Sequence, residues 1–246
     1  MRSLLLTAAI GLMGSITTPI MADTSPLEIV APIDRIFVPN GFDDNDNVEV
    51  ILHGEFRNTC YRVGHAGAKQ LEGTNDIIVW ATAYHYPQED CAQVITPFIQ
   101  TVRLGVMAAG TYRIIFEERP EITQSLRIED ASTSAPDDHF YAPVEFADVQ
   151  MNQQTGQHEM VVYGSFPRMF IGCALFQEIR VIQQASDMMV VLPILRTTTG
   201  EECVNAPVRF RRVVPLGRTL QTDGLLHVRV LSGNSINRFF RLNDVQ

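Results

Sequence analysis

Carboxylates and amides crowd one short segment, Asp43-Asp44-Asn45-Asp46-Asn47. Oxygen donors at alternate positions are what a calcium ion takes as ligands, and Asp44 and Asp46 would supply them. The segment lacks the central glycine and closing glutamate of an EF-hand loop. Asp and Asn also close turns by bonding to nearby backbone. A solvated hairpin loop is therefore expected, with calcium the one cofactor the residues suggest. Tyr84, His85 and Tyr86 could offer an aromatic platform to a sugar. The six histidines, His53, His65, His85, His139, His158 and His227, show no H-x-H or i, i+4 spacing for a metal. Gly164-Ser165-Phe166 lacks the strained turn of a serine hydrolase. No catalytic set emerges, and the chain is not expected to be an enzyme. Arg209, Arg211, Arg212 and Arg218 form a basic cluster. Planar guanidinium donors favour protein contacts, so a basic face meeting an acidic surface is the preferred reading.

The elements that must position these residues are written twice. Val50-Ile51-Leu52-His53-Gly54-Glu55-Phe56 reappears 110 residues later as Met160-Val161-Val162-Tyr163-Gly164-Ser165-Phe166. Asp76-Ile77-Ile78-Val79 returns at 111 as Asp187-Met188-Met189-Val190, Leu104-Gly105 at 112 as Leu216-Gly217, and Leu126-Arg127-Ile128 at 114 as Phe240-Arg241-Leu242. A slowly drifting offset means two units of one design with small insertions between matched segments. Glu55 stands where the second copy has Ser165, which makes that serine a surface residue. The four cysteines keep the same order, so the repeat pairs Cys60 with Cys91 and Cys173 with Cys203 as structural disulfides.

Short apolar runs bounded by turn residues fill each copy, and no stretch holds a 3.6 period. Matched strands are expected at 47–56 and 158–166, 77–84 and 188–195, 95–104 and 208–216, 111–116 and 225–231, and 122–128 and 236–242. A further pair sets Arg35–Val38 against Phe140–Val144. About seven short strands per copy read as an all-β chain of two tandem Ig-like β-sandwich domains. Trp80, the single tryptophan, reads as a core residue of the first. The domains are expected at 27–128 and 140–246, joined by an acidic linker at 129–139. Residues 1–22 have the layout of a secretory signal peptide, with Arg2, an apolar stretch from Leu4 to Met13 and Ala22 at the cut. The apolar stretch is too short to span a bilayer as an anchor.

Charge separates the copies. From Asp23 to Ile128 the net formal charge is −7, the linker adds −4, and residues 140–246 carry +1. An acidic chain with no basic stripe excludes a nucleic-acid partner.

The run Val102 to Ile114, with Leu104-Gly105 and Ala109-Gly110-Thr111-Tyr112, resembles the end of many bacterial secreted Ig-like or fibronectin III-like envelope domains. Unit two keeps Leu216-Gly217 and Gly224 but has Leu225-Leu226 in place of Thr-Tyr. The resemblance implies a sandwich and no specific activity. The expectation is an exported, periplasmic or secreted, non-catalytic module that binds another exported or envelope protein. A carbohydrate- or calcium-binding sandwich is the alternative.

Overall fold

Strands form where β-branched and aromatic residues run between turn residues. A computed structural model describes residues 25–87, 90–135, 137–166, 174–197, 209–217 and 222–242, and these residues are all-β. Among them, no helix is long and apolar enough to cross a membrane. The expected leader, Cys173, Cys203 and Arg218 lie outside the described residues.

Unit one contains β1 (Leu27–Val30), β2 (Ile33–Phe37), β3 (Phe42–Asp43), β4 (Val48–Phe56), β5 (Tyr61–Gln70), β6 (Asp76–His85), β7 (Thr96–Gly105), β8 (Gly110–Phe116) and β9 (Thr123–Glu129). One sheet is β2-β4-β7. The other runs β1-β6-β8-β9-β3, with β5 also on β6. Alternate residues of β6 point inward, so Ile77, Val79, Ala81 and Ala83 pack with Val50, Leu52, Ile114 and Leu126 between the sheets. The expected pair Cys60–Cys91 is present, with Cα atoms 5.3 Å apart.

Unit two contains β10 (Val144–Asn152), β11 (Gln157–Ser165), β12 (Ala174–Ala185), β13 (Met188–Thr197), β14 (Arg209–Gly217), β15 (Gly224–Val230) and β16 (Asn234–Phe240). Its sheets are β10-β11-β14 and β12-β13-β15-β16, closed over Met160, Val162, Met189, Val191, Leu226 and Val228.

The repeat extends to details of backbone contact. A Cβ on Gly54 would stand 2.2 Å from the Pro32 carbonyl oxygen and 2.8 Å from the Phe98 ring; on Gly164 it would stand 2.3 Å from the Pro143 oxygen and 2.4 Å from the Phe210 ring. Both units also place an unusual parallel pair at the same site, β6 with β8 and β13 with β15.

Two expected correspondences need correction. The Arg113 amide donates to the Asn75 carbonyl, and the Leu225 amide donates to that of Asp187. Asn75 therefore corresponds to Asp187, and the offset here is one residue longer than Asp76-Ile77-Ile78-Val79 suggests. Because side chains alternate, that single step exchanges the faces of the strand. Ile77 and Val79 of the first core match Met189 and Val191 of the second, while Met188 and Val190 face outward. The first-strand match also moves. Ala31-Pro32-Ile33 pairs with Ala142-Pro143-Val144, each making the same short bond from the third amide to the first carbonyl, 2.8 and 2.9 Å. Arg35–Val38 is thus not the counterpart of Phe140–Val144.

The outward face of β13 and β15 meets the outward face of β2-β4-β7. Phe37 and Ile51 of unit one are buried with Met188, Val190 and Leu225 of unit two, flanked by Ile99, Leu192 and Phe239. Polar contacts surround this apolar patch. The Gln184 side chain accepts from the Asn40 amide and donates to the Val38 carbonyl, both at 2.8 Å. The Arg35 guanidinium lies 2.7 Å from Asp187, and that of Arg241 lies 3.2 Å from Glu55.

Deeper in, Asn237 donates to Glu49 at 2.7 Å and Thr101 at 3.0 Å, and accepts from His227 Nδ1 at 2.8 Å. Burial, reinforced by the neighbouring Arg229, pushes the His227 imidazole down to about 4.

Candidate functional site

The acidic loop is part of this interface. Asp46 lies 3.3 Å from the Arg229 guanidinium, which also donates to the Gly41 carbonyl at 2.8 Å and sits 4.1 Å over the Phe42 ring. Burial raises the Asp46 carboxyl above its usual range, and Arg229 opposes that rise. Asp44 accepts from the Ala131 amide at 3.0 Å, while Asn45 donates to the Thr133 carbonyl at 2.9 Å. The sequence suggests Asp44 and Asp46 as calcium ligands or, alternatively, a solvated hairpin loop. The structure engages both in holding the segment after unit one and the second sandwich. Among the described residues, no group of three or more His, Cys, Asp or Glu is arranged to hold a metal ion.

The structure does not gather Tyr84, His85 and Tyr86 into one platform. Strand alternation sends Tyr84 to the outer face, edge-on to His65 with centroids 6.0 Å apart. His85 goes to the other face, stacked at 4.5 Å on Tyr61, which stacks in turn on Phe56. Tyr86 bonds through its amide to the Cys60 carbonyl. Trp80 likewise departs from the core placement. It is half-buried on the outer face of β6, opposite Gly67 of β5, where a Cβ would lie 2.3 Å from the indole.

The arginine cluster divides in the same way. Arg209 and Arg211 project from the exposed face of β14 and pair across the sheet with Ser165 and Tyr163. Arg212 turns to the opposite face and lies 4.8 Å over the Phe176 ring. On the exposed face, Arg211 stands 5.7 Å over Tyr163 and donates to its hydroxyl at 3.1 Å. Tyr163 pairs with Phe146, rings 6.0 Å apart, and Arg238 closes the row 6.0 Å over Phe146. The result is a cation–ring–ring–cation row across four strands, with Arg238 reaching over from β16 of the other sheet. Phe146 is 44% exposed and Tyr163 38%, with Val213 open beside them. Phe146 was not legible as part of a site, because the expected strand ended at Val144.

Internal symmetry gives this face its meaning. Tyr163 is the counterpart of His53, and β10-β11-β14 the counterpart of β2-β4-β7. In unit one this face is covered by unit two, so that His53 is 4% exposed and its ring lies tilted against Phe239 with centroids 4.2 Å apart. In unit two the equivalent face leaves Phe146, Tyr163 and Val213 exposed around a buried Val161. Aromatic and arginine side chains thus stand together on this exposed face, and among the described residues β14 lies at the sheet edge.

These features define a β-sandwich protein of two like units. Residues 50–128, the greater part of unit one, match the family model described as the ORF11 beta-sandwich domain. No curated protein and no solved structure matched the chain.

Proposed function

We propose that this chain is an exported, non-catalytic module that binds another exported protein through the open face of β10-β11-β14. The observation that carries the reading is the asymmetry between equivalent faces. Unit one buries its β2-β4-β7 face against a sandwich, whereas unit two leaves much of the same face exposed, with Phe146, Tyr163 and Val213 in contact with solvent among Arg209, Arg211 and Arg238. Tyr and Arg are the residues that most often carry binding energy at protein interfaces, because they combine contact area with directional donors. The arginines select an acidic partner surface, and the edge of β14, unpaired among the described residues, can align an extended segment of that partner.

The test is affinity capture with the mature chain from the medium and envelope of the producing cells. Amine cross-linkers are unsuited, since Lys69 is the only lysine. The reading expects a stoichiometric protein partner that is lost with the Tyr163→Ala/Arg211→Glu double variant while the sandwich stays folded. Capture of no partner, or equal capture by the double variant, contradicts it. A carbohydrate-binding reading rests on Trp80 lying along the outer face of unit one two strand positions from Thr82 and four from Tyr84. It requires a glycan whose binding is lost in Trp80→Ala.

A further inference from the structure

The seam between the sandwiches opens at one end into a cavity of about 660 Å³, a volume within the usual range for small-molecule sites at domain junctions. Its wall is polar and rich in carboxylates. Two of these are neutralised across the seam, Asp187 by Arg35 and Glu55 by Arg241. Each arginine's charge is thus already matched by a carboxylate. Asp34 and Asp223 have no arginine or lysine partner among the described residues. Asp34 accepts from His53 Nδ1 at 2.8 Å, and one oxygen of Asp223 accepts the Leu242 amide at 2.8 Å.

His53 supplies an independent sign of a ligand. It lines the same cavity and is 4% exposed. A carboxylate can only accept, so Nδ1 carries the proton in the bond to Asp34. In the neutral ring that leaves Nε2 as a lone-pair acceptor, and it is buried without a hydrogen-bond partner. Buried acceptors are rarely left unmatched, because their lost hydration is unfavourable.

We infer that this cavity binds a small organic cation bearing an ammonium or guanidinium group. Its N–H donors satisfy His53 Nε2, and its charge is balanced by Asp34 and Asp223. The site is separate from the β10-β11-β14 face, so either proposal stands or falls without the other.

Calorimetric titration of the mature protein with agmatine, which carries both groups, tests the inference, with glutarate as an anion of similar length. Saturable agmatine binding is expected in the roughly micromolar to millimolar range. Asp34→Asn and Asp223→Asn should each weaken it about tenfold. Asp34 is half exposed, and the Asp223→Asn change keeps a side-chain oxygen to accept from the Leu242 amide, so both variants should retain the wild-type melting profile. No agmatine binding up to about 10 mM, equal binding of glutarate, or unchanged affinity in both folded variants overturns the inference.

Discussion

Gly54 and Gly164 occupy the same closed position in the two units, each with a proline carbonyl and a phenylalanine ring where a side chain would go. Alanine at either should force the strand away from its neighbours and lower stability by about 1–3 kcal/mol. Similar losses at the two sites, measured by urea unfolding, are the expected outcome; a neutral effect at one would break the equivalence. These glycines were legible as a repeated Gly-x-Phe step. His227 was not, since its burial depends on the approach of sheets from two units. Its folded pKa, about 4, lies below the ordinary 6.5. The unfolded chain therefore takes up the proton first as pH falls, and stability drops between about 6.5 and 4. The loss is on the order of 3 kcal/mol. Asp46, raised in the fold, acts in the opposite sense as pH nears its elevated value. Melting curves should show the decline in wild type and a shallower one in His227→Gln. Identical pH profiles would place the effect elsewhere.

At the scale of elements, alternation decides what a cluster in sequence becomes in space. Tyr84 and His85, or Arg211 and Arg212, are neighbours in the chain yet belong to opposite faces. Strand identity was legible from β-branched runs, but which face was wet was not. Ile77 to Tyr84 is a nearly continuous apolar run whose inward set could be either half. The answer lies in its neighbour, because Gly67 of β5 leaves a flat place for the Trp80 ring. Gly67→Ala should lift that ring into water. As the only tryptophan, Trp80 reports this as a red shift in fluorescence with the fold retained. An unchanged spectrum would mean that the indole does not rest on Gly67. The same reasoning explains the one-residue error in the repeat. Asp76 and Asp187 look equivalent in sequence, but the main-chain bonds match Asp187 to Asn75.

For the whole molecule, the interface makes two sandwiches behave as one body. Phe37, Ile51, Met188, Val190 and Leu225 are removed from water together, and buried ionic and amide contacts fix their alignment. Wild type should unfold in a single calorimetric transition. Leu225→Asp buries an unpaired carboxylate at the patch and should separate the transition into two; one sharp transition in that variant would show that the interface does not couple the units. The repeat and its all-β class were legible from the doubled sequence. The face used to join the units was not, because an outward-facing apolar residue looks the same whether it meets water, a second unit or a partner.

The most direct measurement is hydrogen–deuterium exchange of the mature chain with and without its captured partner. The account predicts slowed exchange in β14 and β10 of unit two, with β5 and β6 unchanged. Protection confined to β5 and β6, or to the cavity between the units, would contradict it.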